Sequence, residues 1–279
     1  MPTRRRAAVL GSPIAHSLSP VLHRTAYREL GLHTWTYDRH DVDEHALESF
    51  LGGLDDSWAG LSLTMPLKRA VLPLLDSVTD TARSVQAVNT VLFTADGRRE
   101  GHNTDVPGMT SALRERGITR VGHAAVLGAG ATAASALAAL ARMGAPEVTA
   151  YVRGEGRAAE MVRWGERLGL AVRTAPWDRA AQALNAPLVI STTPAQATDA
   201  LAESVPDTPG VLFDVLYDPW PTRLAHHWGS RGGTVVGGLD LLVHQAVRQV
   251  ELMTGRHPAP VHAMRAAGRR ALDGRKQPI

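Results

Sequence analysis

The sequence predicts an α/β protein with two domains, and three observations support this prediction. The chain has 279 residues, which exceeds what one hydrophobic core usually organises and suits two domains of about 100–150 residues each. Short apolar runs typical of buried strands alternate with helix-like stretches along most of the sequence. Beyond residue 105 this alternation becomes regular, which favours parallel strands joined by right-handed helical connections.

The N-terminal part of the chain predicts alternating strands and helices. A buried strand at Ala7–Leu10 is followed by a helix that begins at Ser19-Pro20, because serine can cap free amides and proline is tolerated at the first helical position. Leu30-Gly31 ends this helix, since glycine accepts left-handed geometry. The other predicted elements are a strand at Thr34–Tyr37, a helix at Glu44–Leu51, a strand at Gly60–Thr64, a helix at Pro66–Leu75, and a hairpin of Val88–Phe93 with Arg98–His102 around the Asp96-Gly97 turn.

The remainder of the chain predicts a parallel sheet with helical connections. We expect helices at Val106–Arg116, Ala131–Met143 and Asp240–Thr254. The predicted strands are Ala124–Leu127, Val148–Val152, Leu188–Ser191, Val211–Leu216 and Thr234–Val236.

Composition and charge exclude several classes of protein. The chain has no cysteine, which excludes disulfides, thiolate metal sites and cysteine nucleophiles. The net charge of +3 comes largely from arginines near both ends, without interleaved aromatic residues, so we expect no nucleic-acid partner. The apolar run Ala7–Leu10 is too short for a secretion signal or a membrane span. We therefore expect a cytoplasmic protein without a membrane partner.

The turn between the strand at Ala124–Leu127 and the following helix has the pattern G-x-G-x-x-A. Its residues include Gly128, Ala129, Gly130 and Ala131. Glycines permit a tight turn and let the backbone approach a pyrophosphate, while the helix amides and dipole stabilise its charge. The pattern predicts a Rossmann-type domain that binds a dinucleotide.

Arg153 follows the second strand of this predicted domain. An NAD enzyme usually has an acidic residue there to bind the ribose hydroxyls, whereas a guanidinium suits a phosphate. The sequence therefore favours NADP as the cofactor. The alternative is that Arg153 is merely exposed and Glu155 binds the ribose of NAD.

Three short loops carry the candidate substrate and catalytic residues. Ser17 and Ser19 lie two positions apart just before a predicted helix, and two hydroxyls beside a positive helix end can bind a carboxylate. The simpler interpretation is that Ser19 only caps the helix. Lys68 and Asp105 close two other loops; if they meet in space, they form an acid–base pair for hydride chemistry. Otherwise Lys68 is an exposed lysine and Asp105 is a helix cap.

Six ordered segments resemble the shikimate dehydrogenase family, and the resemblance extends from about residue 9 to residue 255. The segments that match the family's patterns are Gly11–His23, Gly60–Lys68, Gln86–Thr90, Gly101–Gly108, Asp214–Pro219 and Gly238–Ala246. The resemblance implies a reversible NADP-dependent reduction of 3-dehydroshikimate to shikimate in chorismate and aromatic amino-acid biosynthesis. It also implies a Rossmann-type cofactor domain, residues 107–238, and a discontinuous α/β substrate domain, residues 1–106 completed by 239–279.

The resemblance assigns a role to each matching position. Lys68 and Asp105 become the catalytic pair. The residues implied in substrate binding are Ser17, Ser19, Thr64, Asn89, Tyr217 and Gln245. The residues implied in cofactor binding are Gly128, Ala129, Gly130, Ala131, Arg153, Thr192, Val215 and Gly238. No metal is implied, and we expect a monomer or a homodimer.

Several positions depart from the family pattern. Ser62 replaces an asparagine, so we expect it to reach the substrate only through water. Gln86 replaces a glycine, Arg24 an asparagine, and Val152 and Gly154 flank the arginine where the family has asparagine and threonine. Two other interpretations stay open. One is a dehydrogenase for quinate or aminoshikimate that uses NAD; the other is a regulator that binds shikimate without turnover.

Overall fold

A computed structural model describes residues 4–275. The chain divides into two compact units, each built around its own sheet. The first unit contains the described residues up to Thr104 together with those from Leu242 onward, and the second is Asp105–Leu241.

The first unit begins with alternating strands and helices. In chain order the elements are β1 (Arg5–Gly11), α1 (Ser19–Glu29), β2 (Trp35–Asp41), α2 (Leu47–Gly52), β3 (Trp58–Leu63), α3 (Leu67–Ala70), a 3-10 helix (Leu72–Leu74), β4 (Ser77–Val78), α4 (Asp80–Val85), β5 (Thr90–Phe93) and β6 (Arg99–His102). The six strands form one mixed sheet in the order β2-β1-β3-β5-β6-β4. β1 pairs in parallel with β2 and β3, whereas β5 is antiparallel to both β3 and β6. One face packs on a cluster that includes Leu10, Leu61, Leu67 and Val91.

The second unit is a parallel α/β sheet. Its elements are α5 (Asp105–Glu115), β7 (His123–Leu127), α6 (Ala131–Arg142), β8 (Glu147–Val152), α7 (Glu155–Leu168), β9 (Ala171–Pro176), a 3-10 helix (Trp177–Asn185), β10 (Leu188–Ser191), a 3-10 helix (Asp199–Ser204), β11 (Val211–Asp214), α8 (Arg223–Ser230) and β12 (Thr234–Gly237). The strand order is β12-β11-β10-β7-β8-β9, and every pair is parallel. This is the doubly wound sheet that the alternation of strands and helices predicts.

Two helices complete the chain. α9 (Gly238–Thr254) begins directly at the end of β12, and α10 (Val261–Arg275) follows it. α10 packs against α1 within the first unit. The C-terminal segment from Leu242 onward therefore belongs to the first unit.

The observed elements differ from the prediction mainly at polar segments. The predicted helix at Pro66–Leu75 is divided into α3 and a 3-10 helix, because Pro73 has no amide hydrogen for a continued helical ladder. The β5 strand begins at Thr90 rather than Val88. Helices α4, α7, α8 and α10 and the partly exposed strands β4 and β9 were not predicted.

Candidate functional site

The first loop of the candidate site leaves the carboxyl end of β1. The Ser19 amide donates to the Ser17 hydroxyl at 3.3 Å, and the Ser17 amide donates to the Ile14 carbonyl at 3.0 Å. The interpretation of Ser19 as the helix cap is wrong: α1 begins at Ser19, and the residue before it, Leu18, makes no side-chain cap bond. Ser19 is buried, whereas Ser17 is only partly buried.

The Lys68 loop leaves the carboxyl end of β3, the strand adjacent to β1. The Thr64 amide donates to the Leu10 carbonyl at 2.9 Å, and the Ser12 amide donates to the Met65 carbonyl at 3.0 Å. A Cβ on Gly11 would lie 2.4 Å from Thr64 Cγ2 and 2.9 Å from the Met65 carbonyl oxygen. Only glycine permits this approach. The serine loop and the lysine loop are therefore in direct contact.

Lys68 lies in the short helix α3 and is partly buried. Its carbonyl accepts a hydrogen bond from the Val88 amide at 2.8 Å, which attaches α3 to the segment that leads into β5. Asn89, which follows Val88, is buried, and its carbonyl accepts a hydrogen bond from the Leu63 amide at 2.8 Å. Lys68 and Asn89 are thus held beside each other by backbone hydrogen bonds.

The Asn89 side chain organises the end of the hairpin formed by β5 and β6. Its Oδ1 accepts from the Thr104 amide at 2.8 Å, from the Thr104 hydroxyl at 3.1 Å and from the Thr90 hydroxyl at 3.0 Å. The Thr104 hydroxyl also contacts Gln245 Oε1 at 3.5 Å, and the Gln245 amide donates to the Leu242 carbonyl at 2.9 Å. In the first unit the structure therefore brings together the predicted residues Ser17, Ser19, Thr64, Lys68, Asn89 and Gln245.

A buried polar chain behind these residues was not predicted from the sequence. Tyr37 donates to Ser62 at 2.6 Å, and Ser62 donates to Gln249 Oε1 at 2.8 Å. Burial raises the pKa of the Tyr37 phenol, and the hydrogen bond with Ser62 opposes this shift. From the sequence we expect Ser62 to reach the substrate through water. In the structure its hydroxyl instead accepts from Tyr37 and donates to Gln249 inside the unit. Gln245 and Gln249 lie four residues apart on one helix face, and that spacing was the available signal.

His23 contacts two members of this hydrogen-bonded series, Tyr37 and Gln249. Its ring stacks on Tyr37 with the centroids 3.8 Å apart, and its Nε2 donates to Gln249 Oε1 at 3.3 Å. Burial lowers the pKa of His23 from 6.5 to about 3, and the hydrogen bond to Gln249 opposes this shift only in part. The imidazole is therefore neutral at pH 7.

Because His23 is buried and neutral, we expect the folded protein to lose stability in acid. Between pH 6.5 and about 3 the unfolded chain binds a proton at His23 that the folded chain does not, so the free energy of unfolding falls as pH falls through this window. Replacement of His23 by glutamine is expected to make this fall shallower by up to a few kcal/mol. Urea titrations at several pH values measure it. Parallel curves for wild type and variant would contradict the prediction.

Asp105 is the first residue of the second unit and of helix α5. Its side chain is buried. A carboxylate at the start of a helix is stabilised by the partial positive charge of the free amides. The residue before it is Thr104, whose amide donates to Asn89 as described above.

The glycine-rich turn has the geometry that a dinucleotide cradle requires. Gly128 has a φ of +105°, its amide donates to the Tyr151 carbonyl at 3.1 Å, and a Cβ on it would lie 2.7 Å from Thr192 Oγ1. Gly130 precedes helix α6, is exposed, and has open space where a Cβ would lie. α6 begins at Ala131, so no side chain on Gly130 covers the amides of its first turn. Thr192 is fixed beside the turn, because its amide and its hydroxyl both donate to the Leu127 carbonyl at 2.9 Å.

Arg153 lies at the end of β8, the strand adjacent to β7. It is exposed, and its guanidinium lies over the Trp177 ring at 5.0 Å from the centroid. Gly154, with a φ of +82°, then turns the chain into α7, whose first residue is Glu155. The stacking on Trp177 restricts the guanidinium to the end of the strand without neutralising its charge.

A second close backbone approach joins the ends of β11 and β12. The Gly238 amide donates to the Leu216 carbonyl at 3.0 Å, and a Cβ on Gly238 would lie 2.1 Å from the Val215 carbonyl oxygen. The buried Asp214 carboxylate fixes the same turn by accepting from the Leu216 amide at 3.2 Å and from the Thr222 hydroxyl at 2.7 Å. This turn presents the partly buried Tyr217. The predicted residues Val215, Tyr217 and Gly238 therefore belong to one turn region of the second unit.

The described part of the chain has neither a metal cluster nor a membrane-spanning helix. Residues 4–275 contain no group of three or more histidine and acidic side chains that could hold a metal ion. Within the same range, none of the helices has the length and apolarity to cross a membrane.

Comparisons with known proteins identify the family. Residues 9–91 match the model of the shikimate dehydrogenase substrate binding domain, and residues 238–267 match that of the shikimate 5'-dehydrogenase C-terminal domain. A shikimate dehydrogenase (NADP(+)) from Thermus thermophilus is 39% identical over 270 residues, which cover 96% of this chain and 98% of that protein.

Solved structures agree with the sequence matches. The shikimate dehydrogenase of Mycobacterium tuberculosis is 43% identical and superposes with a TM-score of 0.87, covering 95% of this chain and 99% of the other. A Thermus thermophilus shikimate 5-dehydrogenase in complex with NADP(H) and shikimate is 36% identical with a TM-score of 0.84, covering 96% and 100%. The chain belongs to the shikimate dehydrogenase family.

Proposed function

We propose that the chain is an NADP-dependent shikimate dehydrogenase, which reversibly reduces 3-dehydroshikimate to shikimate in chorismate and aromatic amino-acid biosynthesis. The observation that carries this proposal is the direct attachment of the serine loop, the Lys68 loop and the Asn89 segment to one another in the first unit. Together these three segments contain hydroxyls, an amide and an ammonium that can bind one small polar acid. We propose cytoplasmic action on these small molecules, as a monomer or a homodimer.

We assign a different binding role to each of the two units. We assign substrate binding to residues 1–106 with 239–279, and cofactor binding to residues 107–238. The mixed sheet of the first unit supports the first assignment, because the ends of β1 and β3 carry the two loops of the candidate site. The parallel sheet with its glycine-rich turn after β7 supports the second.

The substrate carboxylate is assigned to Ser17 and Ser19. Ser17 is partly buried just before α1, and the positive end of this helix favours an anion. The ring hydroxyls or the carboxylate are assigned to four further residues: Thr64, Asn89, Tyr217 and Gln245.

Lys68 and Asp105 are assigned to the proton transfer. In the reduction, the Lys68 ammonium donates a proton to the carbonyl oxygen as that carbon receives a hydride; in the reverse direction the amine accepts the proton of the hydroxyl. The Asp105 carboxylate orients the ammonium and accepts a hydrogen bond from a neighbouring substrate hydroxyl. In this proposal the negative charge that develops on the oxygen is stabilised by the Lys68 ammonium as it gives up its proton.

The second unit has residues that fit NADP. When bound, NADP supplies the nicotinamide that delivers or accepts the hydride. Gly128, Ala129, Gly130 and Ala131 offer their backbone to a pyrophosphate at the uncovered start of α6. Arg153 offers a charged donor to the 2′-phosphate. Thr192, Val215 and Gly238 lie at the ends of β10, β11 and β12, and are assigned to the nicotinamide side.

Replacement of Arg153 by alanine is expected to change cofactor preference. A charge-assisted hydrogen bond to phosphate contributes about 1.5–3 kcal/mol, so KM for NADP should rise about tenfold to a hundredfold while KM for NAD changes little. Initial rates with each cofactor measure this. The control is the exposed Arg173 on β9, which is paired with Glu147 at 3.0 Å; its replacement by alanine should leave both KM values unchanged. Equal losses with NADP and NAD in the Arg153 variant would exclude a phosphate contact.

The function is tested by assaying the purified chain with shikimate and with quinate, each with NADP and with NAD. Formation of reduced cofactor should be fastest with shikimate and NADP. Quinate has an additional hydroxyl on the carbon that carries the carboxylate, and needs space near the buried Ser19. Faster turnover of quinate with NAD would replace the proposal by a quinate dehydrogenase. Shikimate binding without turnover would indicate a regulator.

A further inference from the structure

Gln249 lies on α9 and is hydrogen-bonded to the segment that carries Asn89. Its Nε2 donates to the Asn89 carbonyl at 3.2 Å and to the Thr90 hydroxyl at 2.9 Å, and the Thr90 hydroxyl donates in turn to Asn89 Oδ1 at 3.0 Å. All three residues are buried. We propose that Gln249 is a positioning residue of the substrate site, which acts through Thr90 to fix the Asn89 side-chain amide as a hydrogen-bond donor to the substrate. This proposal rests on the proposed function, in which Asn89 binds the substrate.

The orientation of the Gln249 amide is determined by its neighbours. A backbone carbonyl only accepts hydrogen bonds, so the Gln249 atom 3.2 Å from the Asn89 carbonyl oxygen is the donor Nε2. On the other side of the amide, Oε1 accepts from the Ser62 hydroxyl at 2.8 Å. A rotated amide would place two acceptors against each other at Asn89. Gln249 therefore presents donors to both Asn89 and Thr90.

The direction of the Thr90 hydrogen bond follows from this orientation. A threonine hydroxyl has one proton to donate, and its oxygen can accept another hydrogen bond. Because Gln249 donates to the Thr90 oxygen, the Thr90 proton is directed to Asn89 Oδ1. Hydrogen bonds that follow one another in this way reinforce each other. Without Gln249, the Thr90 hydroxyl has no donor to hold it and can rotate away from Asn89.

The Asn89 side chain is held in one orientation by the donors around it. Its Oδ1 accepts from the Thr104 backbone amide at 2.8 Å as well as from the Thr90 hydroxyl, and an amide oxygen has two lone pairs. The atom on the other branch of the amide is then Nδ2, which donates and does not accept. Asn89 can therefore bind the substrate only at acceptor atoms, such as the oxygens of its carboxylate or hydroxyl groups.

Other contacts of the site do not depend on Gln249. The Asn89 carbonyl also accepts from the Leu63 amide at 2.8 Å, and the Lys68 carbonyl accepts from the Val88 amide at 2.8 Å. These backbone bonds remain when the Gln249 side chain is replaced, so the lysine loop should stay attached to the Asn89 segment. We therefore expect loss of Gln249 to weaken substrate binding far more than the chemical step.

The test is the replacement of Gln249 by methionine, an unbranched side chain of similar length that cannot donate these hydrogen bonds. We expect KM for shikimate to rise about threefold to tenfold, with kcat changed by less than about twofold and KM for NADP unchanged. Thr90→Val removes the hydroxyl between Gln249 and Asn89, and should raise KM for shikimate by a similar factor. No rise in either variant would overturn the proposal.

Met253→Ala is the matched control for damage to α9. Met253 lies one turn further along the helix, is buried, and packs close to Gly60 of β3. Its truncation removes core packing but none of the hydrogen bonds described above, so it should lower the urea midpoint and retain the wild-type KM for shikimate. A rise in KM as large as that of the Gln249 variant would show that KM reports only damage to this helix, and would overturn the proposal.

A double-mutant cycle tests whether Gln249 acts through Asn89. In an Asn89→Ala background, Gln249→Met should have almost no effect on KM for shikimate. Equal effects in both backgrounds would contradict the proposal. If the Gln249 variant does not fold, the same cycle with Thr90→Val decides, with coupling to Asn89 expected and additivity contradicting the proposal. Inactivity of the wild type with shikimate would instead refute the proposed function.

Discussion

Replacement of Lys68 by alanine is expected to lower kcat by about 10³-fold or more, with little change in the dissociation constant for NADP. The physical reason is that positioned proton transfer contributes about 10²–10⁴-fold, and the lost ammonium also leaves the developing charge on the substrate oxygen unbalanced. α3 is held by the bond from the Val88 amide to the Lys68 carbonyl, which the substitution leaves in place. Steady-state rates and cofactor binding by titration measure the two quantities.

Arginine at position 68 provides the control for charge. It keeps the cation but does not give up its proton, so Lys68→Arg should also be severely impaired in kcat. Turnover close to wild type in the alanine variant would exclude Lys68 as the proton-transfer group. Recovery of most activity by arginine would restrict its role to electrostatics.

Replacement of Asp105 by asparagine is expected to lower kcat/KM for shikimate by about 10²-fold or more. The substitution keeps the shape of a buried side chain at the start of α5 and removes the negative charge to which we assign the orientation of the lysine. The matched control is Asp80→Asn, because Asp80 also begins a helix, α4, yet is exposed and pairs with the neighbouring Arg83 at 3.3 Å. The control should retain wild-type kinetics. Similar kinetics for the two variants would show that Asp105 serves only the helix.

The fold could be predicted where hydrophobic patterns are strong. The strands β7, β8, β10, β11 and β12 are apolar runs separated by helical or irregular connections, and their parallel pairing follows from that alternation. The edge strand β9 was missed because its residues alternate between exposed and half-buried positions, so it contains no apolar run. α7 was missed for a similar reason, since only Met161, Trp164 and Gly165 of its residues are buried.

The candidate site was predictable to the extent that its residues lie in short loops with a local pattern. The serine loop, the lysine loop and the glycine-rich turn each contain the residues that their chemistry requires within a few positions. The chain from Tyr37 through Ser62 to Gln249 has no such pattern, because each member comes from a different element and pairing depends on the tertiary fold. Tyr37 in particular is indistinguishable in sequence from an ordinary strand aromatic.

The most direct test of the proposed hydride transfer follows a deuterium label from shikimate to the reduced cofactor. Shikimate that carries deuterium on the carbon that becomes the ketone of 3-dehydroshikimate is incubated with NADP and the enzyme, and the reduced cofactor is examined by mass spectrometry. If this carbon delivers a hydride while Lys68 accepts the hydroxyl proton, each reduced cofactor gains one deuterium. Reduced cofactor without the label, or no reduced cofactor at all, would contradict dehydrogenation at this carbon.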